Sequence, residues 1–377
     1  MWQKSLRRKF LPAIQWKLWL APWERIDWTL LLLVVGLTAL GVITIRSTQL
    51  NHGGFTYWWQ HLFLGGVGLV MAMMLARWRY DFLLQWHWAI YGAINLSLIT
   101  VMLVGVTAKG AQRWISIGGF NLQPSEFAKI GLIITLAALL HKQPASKLAV
   151  LFRLLAVAAV PWALVFLQPN LGTSLIFGAI TLGMLYWGNA NPGWLVLMLS
   201  PLVSAILFSL SFPGWIIWAV AMGAIAWLTL PWRFLSALGA IAANFLVGEL
   251  AGVLWGVLKD YQKNRLIVFL DPEKDPLGGG YHLIQSRIAI GAGELWGRGL
   301  NHGTQTQLNF VPEQHNDFIF SAIGEELGFV GCIAVLLVFW LLCLRLVFIA
   351  CNAKDNFGSL LAIGVLSMIA FQVIVNI

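Results

Sequence analysis

Residues 318–350 read FIFSAIGEELGFVGCIAVLLVFWLLCLRLVFIA, a long apolar run with Glu325 and Glu326 about two turns from its start. An apolar stretch of about 20 residues crosses a hydrocarbon core of roughly 30 Å as a helix. In lipid the backbone must satisfy its own hydrogen bonds, which leaves only helices and closed barrels. Barrel strands alternate apolar and polar residues and this run does not, so it predicts a membrane-spanning helix.

Comparable runs occupy most of the chain. They place further spans at about 27–45, 57–76, 86–105, 124–141, 148–167, 171–188, 193–211, 214–231, 234–258 and 358–377. That makes about eleven spans, with Pro124, Pro169, Pro192, Pro213 and Pro231 marking their ends. Composition agrees. Of 377 residues, 59% are hydrophobic and only 10% charged, with a mean hydropathy of +0.79; soluble domains carry about 25% charged residues. The expected fold class is all-α: a polytopic helical membrane protein with a large extracytoplasmic loop.

The net charge of +9 would suggest nucleic acid in a soluble protein, but Lys and Arg collect on the cytoplasmic side of membrane proteins. With the N-terminus inside, the cytoplasmic segments carry Arg77, Arg79, Lys142, Lys147, Arg233 and Lys354, and the outer turns 168–170 and 211–213 carry no charge. Arg46, Lys109 and Arg113 are the exceptions. Residues 1–25 interleave Lys4, Arg7, Arg8, Lys9, Lys17 and Arg25 with Trp2, Phe10, Leu11, Trp16, Trp19 and Trp23. They read as a basic amphipathic segment on the inner leaflet, a topology anchor or a partner contact rather than a cleavable signal peptide. The chain ends at Asn376–Ile377 without a polar tail, as though cut short of a further span. This topology leaves 106–123 and 259–316 outside. The second is the long polar stretch where chemistry is expected.

Within it, Asp271-Pro272-Glu273-Lys274-Asp275-Pro276 precedes Gly278-Gly279-Gly280-Tyr281. Proline-fenced carboxylates suit general acid–base work, although the spacing alone favours a solvated turn. Gln285-Ser286-Arg287 opens an apolar run, and Gly291, Gly293, Gly297 and Gly299 follow without the dinucleotide-binding spacing. His302, Glu313 and His315 lack helical metal-ligand spacing, and Cys332, Cys343 and Cys351 lie too far apart along one run for a disulfide. No metal site is therefore assigned.

At the start of the fourth span, Glu126 and Lys129 are three apart and pair on one helix face. Helix-start stabilisation is sufficient reason for Glu126. Lys129 lies a turn deeper, where a buried cation points to function. Arg113, beside Trp114 in the first outer segment, suits a phosphate. These groups fit either an enzyme acting on a lipid-linked anion or a transporter of one. The outward clustering of charge favours the enzyme over a path through the midplane.

Several stretches resemble the SEDS family (shape, elongation, division and sporulation proteins). They are Gly110-Ala111-Gln112-Arg113-Trp114-Ile115 with Gln123-Pro124-Ser125-Glu126-Phe127-Ala128-Lys129, then Gln168-Pro169-Asn170-Leu171-Gly172-Thr173, then Asp271 to Tyr281. His302-Gly303-Thr304-Gln305, Pro312-Glu313, Asp317-Phe318-Ile319-Phe320 and Glu325-Glu326-Leu327-Gly328 complete the set. Asp271 before Pro272 and the His-Gly-Thr-Gln form are similar to the elongation (RodA) branch rather than the division (FtsW) branch.

The resemblance implies a peptidoglycan glycosyltransferase of the bacterial plasma membrane, polymerising lipid II during cell elongation. Its implied partners are a class B penicillin-binding transpeptidase, undecaprenyl-pyrophosphate-linked glycan and other elongation-complex membrane proteins. Asp275 takes the place of the family's essential acid, with Arg113, Glu126, Lys129, Gln285, Ser286 and Glu325 binding substrate or supporting it. No cofactor is fixed, and a divalent cation stays open. A lipid-linked-precursor flippase and a noncatalytic scaffold for a transpeptidase are the alternatives. Asn170 stands where relatives commonly carry Asp. Nine spans precede the 259–316 loop where relatives have seven, the two surplus spans falling in 193–258. The resulting division is a cytoplasmic segment 1–25 and a transmembrane domain 26–377.

Overall fold

The computed structural model describes residues 26–49, 56–108, 111–117, 120–168, 170–257, 278–308, 310–311 and 314–377, together with Lys263, Glu273, Asp275 and Pro276. The segment 1–25, Asp271 and Glu313 lie outside the described residues. The elements are α1 (Trp28–Thr48), α2 (Thr56–Leu75), α3 (Asp81–Val104), β1 (Val106–Ala108), β2 (Ala111–Ile117), β3 (Phe120–Leu122), α4 (Pro124–Lys142), α5 (Leu148–Leu167) and α6 (Leu171–Trp187). They continue as α7 (Pro192–Leu210), α8 (Phe212–Thr229), α9 (Arg233–Val257), α10 (Gly279–Ala292), α11 (Thr304–Gln307), α12 (Ile319–Cys351) and α13 (Asn356–Asn376).

Nine of the described helices are long and apolar enough to cross a membrane. Two more of the expected spans, Leu171–Trp187 and Pro192–Phe208, are apolar but shorter. Polar caps set where several helices begin. Asp27 Oδ1 accepts from Leu30 N (3.0 Å), Asn191 Oδ1 from Gly193 N (2.8 Å) and Asp355 Oδ1 from Gly358 N (2.7 Å). Asn170 caps α6 by accepting from Thr173 N at 3.4 Å, a task its amide performs as a carboxylate would.

The core is built around α4, whose apolar window is 78% buried, against none of that of α2. Leu98 of α3, Leu132 and Leu136 of α4, Leu154 of α5, Ile180 of α6 and Leu360 of α13 meet there. Helix α13 also packs on α12, which packs on α1 and α10, so α13 joins the two halves of the molecule.

Three departures from the sequence expectation concern what lies between the spans. First, Val106–Ala108, Ala111–Ile117 and Phe120–Leu122 form a three-stranded antiparallel sheet, β1-β2-β3, with Val106 opposite Trp114 and Ile115 opposite Leu122. Second, the expected loop 259–316 contains α10, a helix packed on α12, and the short α11. Third, the 318–350 run is broken at Gly328 (φ 67°, ψ −167°). There the chain 294–299 lies against the break. Arg298 N donates to Glu325 O (2.9 Å), Gly299 N to Glu326 O (3.0 Å), Phe329 N to Glu294 O (2.8 Å) and Val330 N to Leu295 O (3.1 Å). A helix interruption in an apolar setting requires such replacement partners. Only glycine fits at 328: φ is positive, and a Cβ there would stand 2.2 Å from Gly297 N.

Residues 192–257 form α7, α8 and α9, which pack on one another and join the core through α6. Serine, tryptophan and asparagine bind the three together. Trp215 Nε1 donates to Ser204 Oγ (2.9 Å), Ser204 Oγ to the Asn244 carbonyl (2.6 Å), and Asn244 Nδ2 to Ser200 Oγ (3.0 Å). Without hydrophobic drive between helices in lipid, such hydrogen bonds and close packing supply the association.

Candidate functional site

Asp275 stands just ahead of α10, and the Gly278 N–H donates to its Oδ1 at 3.0 Å. The Gly280 N–H donates to its backbone carbonyl at 2.9 Å. A Cβ at 278 would sit 2.3 Å from Asp275 Oδ2, so any side chain there would push the carboxylate aside. The Gly-Gly-Gly run thus lets the backbone close around a carboxylate that remains partly exposed. Farther along α10, Gln285 is half-buried, and Ser286 Oγ lies 2.5 Å from Ser321 Oγ of α12. One face of the helix carrying the turn is therefore fastened to α12.

The two glutamates of α12 are buried, at 0% exposure for Glu325 and 1% for Glu326. Glu325 accepts from Gln305 N (2.7 Å), Thr306 N (2.9 Å) and Thr304 Oγ1 (3.3 Å). It holds the first turn of α11, and so the His302-Gly303-Thr304-Gln305 motif, against the broken helix. Glu326 Oε1 accepts a short hydrogen bond from Ser47 Oγ of α1, which in turn accepts from Asn301 N at 3.0 Å. Gln307 Nε2 donates to Ser47 O (2.9 Å), and Gln314 Nε2 donates to Thr306 O (2.8 Å) and Thr48 O (3.3 Å). Ser47, Asn301, Gln307 and Gln314 are supporting residues that the sequence reading did not single out. Gln307 and Gln314 lie just outside the quoted motifs. Ser47 carries no signal beyond being a small polar residue at a span end.

A second group is built on β2 and α4. Pro124 starts α4 in its first turn, and Glu126 follows near the positive helix end. Lys129 Nζ meets Glu126 Oε2 at 2.8 Å, with side-chain exposures of 1% for Lys129 and 51% for Glu126. The ammonium is deep and its counter-ion is not. Arg113 Nε donates to Gln168 O (3.1 Å), while Gln168 Nε2 donates to Leu98 O (2.9 Å), tying the sheet to the α5–α6 turn and to α3.

The expected site residues thus fall into two groups on different helices: Asp275, Gln285, Ser286 and Glu325 around α10–α12, and Arg113, Glu126 and Lys129 around β2–α4. The first group carries the carboxylates Asp275 and Glu325, and the second carries the cations Arg113 and Lys129 with one carboxylate, Glu126. Of the three candidates weighed for a metal, Glu313 lies outside the described residues and His315 stacks on Tyr57, centroids 4.6 Å apart. Among the described residues no three His, Cys, Asp or Glu side chains form a metal-holding group.

The FtsW/RodA/SpoVE family model, described as a cell cycle protein, matches residues 25–223 and 214–377. The peptidoglycan glycosyltransferase MrdB of Escherichia coli (strain K12) is 33% identical over 361 residues, covering 94% of this chain and 84% of that protein. The peptidoglycan glycosyltransferase RodA of Treponema pallidum (strain Nichols) is 33% identical over 386 residues, covering 93% and 88%. Among solved structures, a chain of a peptidoglycan synthase complex, studied for the coordination of polymerization and crosslinking, superposes with a TM-score of 0.68 at 28% identity, covering 94% and 87%. The rod shape determining protein RodA of Thermus thermophilus shares the fold, with a TM-score of 0.58 at 23% identity over 94% and 85%. The chain belongs to the FtsW/RodA/SpoVE family of cell cycle proteins, the SEDS family its motifs resemble.

Proposed function

We propose that this protein is a peptidoglycan glycosyltransferase of the bacterial plasma membrane that polymerises lipid II during cell elongation, with Asp275 as general base. The relatives' activities support the reaction class. The observation that carries the residue assignment is the contrast between acids: Glu325 is fully buried with both oxygens held by donors from 304–306, whereas Asp275 is partly exposed in the turn that opens α10.

In this reading the N-terminus is cytoplasmic and Asp275 faces outward. Its carboxylate accepts the proton of the acceptor sugar's 4-hydroxyl as that oxygen bonds to the donor's anomeric carbon. The bond from that carbon to the pyrophosphate oxygen breaks, and undecaprenyl pyrophosphate leaves. Arg113 and the Lys129 ammonium stabilise the departing charge, with Glu126 holding Lys129 until the anion arrives. An ordinary aspartate is a weak base near neutrality, so proximity supplies much of the rate. Ser286 supports the α10–α12 contact and Glu325 holds α11 beside it; Gln285, on α10, contacts substrate, and a class B penicillin-binding transpeptidase crosslinks the product.

The broken helix at Gly328 is a feature also used by transporters. Here its freed backbone groups are occupied by residues 294–299 rather than left to bind a solute, which favours the enzyme reading. The test is lipid II polymerisation by the purified protein with its transpeptidase. Asp275→Asn is expected to lose glycan product by at least about 100-fold at unchanged thermal stability. Equal product from both proteins contradicts the assignment.

A further inference from the structure

Arg46 is exposed in the last turn of α1, at the end of the bundle that carries Asn301, Gln307 and Gln314. The opposite end of α1 is fixed by Asp27, whose Oδ2 lies 2.7 Å from Arg345 Nε. The rise from Trp28 to Arg46 is about 27 Å, close to the roughly 30 Å of a hydrocarbon core, so a membrane-spanning α1 that enters at Trp28 brings the guanidinium to the far headgroups. It breaks the pattern of basic residues on the cytoplasmic side.

Its surroundings hold it in place. The guanidinium carbon stands 5.6 Å from the Trp58 ring centroid, and Trp58 stacks on Trp59 at 4.3 Å. Ser47 and Thr48, which follow it, are buried and fastened by Glu326, Gln307 and Gln314. Among the described residues no carboxylate pairs with Arg46. A planar, exposed cation beside the Trp58 indole, with no paired acid among the described residues, suits an anion with several oxygens and an apolar tail.

We propose that Arg46 and Trp58 form a binding site for the phosphate group of a membrane lipid, separate from the Asp275 turn and independent of the reaction assigned to it. The phosphate belongs either to an ordinary anionic phospholipid or to a polyprenyl carrier. Delipidated whole protein is titrated with phosphatidylglycerol, undecaprenyl phosphate or, as an uncharged control, diacylglycerol, and bound copies are counted by native mass spectrometry. Arg46→Gln is expected to bind one copy fewer of the phosphate lipid, or to bind it about tenfold more weakly. Arg46→Lys is expected to be intermediate, because it keeps the charge and loses the fork. Trp58→Leu is expected to weaken binding at unchanged thermal stability. An Arg46 effect on both phosphate lipids supports a general headgroup site, and an effect on undecaprenyl phosphate alone supports a carrier site. Equal binding of both by wild type and Arg46→Gln overturns the proposal, as does wild-type uptake of diacylglycerol equal to that of phosphatidylglycerol. Should Arg46→Gln fail to fold, Arg46→Lys and Trp58→Leu decide on the same readout.

Discussion

In α4 the buried Lys129 ammonium is matched by one carboxylate, Glu126, that is itself half exposed. In α12 the buried Glu325 carboxylate is matched by three hydrogen-bond donors from residues 304–306. In the proposed mechanism the first arrangement is a charge whose partner is exchanged for an incoming anion. The second commits a charge to holding one piece of backbone against another. Burial alone therefore does not mark the reacting group. In the proposed mechanism the buried, fully bonded Glu325 positions and the partly exposed Asp275 reacts.

The largest effect on stability should come from spoiling the saturated site. Glu325→Gln replaces an oxygen with an amide that faces a buried N–H, and it should destabilise by about 2–3 kcal/mol. Thermal unfolding in detergent would read this, and an unchanged midpoint would mean that Glu325 does not pin α11. Glu126→Gln leaves Lys129 buried beside a neutral group and should cost about 1 kcal/mol, a figure kept small because Glu126 is half in solvent. Adding Lys129→Met should restore stability while reducing polymerisation, since it removes the need for the counter-ion together with the cation. If Lys129→Met polymerises normally, the exchangeable-partner reading of α4 fails.

The smallest effect lies on the other side of the bundle, at Tyr80. Its hydroxyl donates to Asp355 Oδ2 at 3.0 Å. Burial raises its pKa above the ordinary phenol value, and the bond to Asp355 and the nearby carboxylates add to the rise. The folded state therefore favours the protonated phenol. The associated stability is fully present below the ordinary pKa and is lost as pH climbs through the raised one. Melting temperature should fall more steeply as pH rises above about 10 in wild type than in Tyr80→Phe. Parallel curves would show that this contact carries no pH dependence.

The spans were legible because lipid demands long apolar runs, and these survive any detail of packing. The Glu126–Lys129 pair was legible too, since a spacing of three on a helix fixes a shared face. The sheet at 106–122 was hidden, because strands as short as Val106–Ala108 and Phe120–Leu122 carry too few residues for a pattern. The break at Gly328 was hidden for another reason: glycine inside an apolar run is ordinary in membrane helices, and only the approach of Gly297 makes it a necessity. Glu325 stood out as a charge inside an apolar run, but the donors that occupy it come from residues 304–306, and no local pattern announces that meeting. The same holds for Ser204, Trp215 and Asn244, whose contacts span three helices.

The division between an acid that reacts and an acid that positions is tested most directly by measuring lipid II polymerisation per folded molecule for Asp275→Asn and Glu325→Gln side by side, below both unfolding temperatures. The predicted result is no detectable glycan from folded Asp275→Asn and substantial glycan from the folded fraction of Glu325→Gln. Activity retained in Asp275→Asn and abolished in fully folded Glu325→Gln would contradict it and move the chemistry to α12.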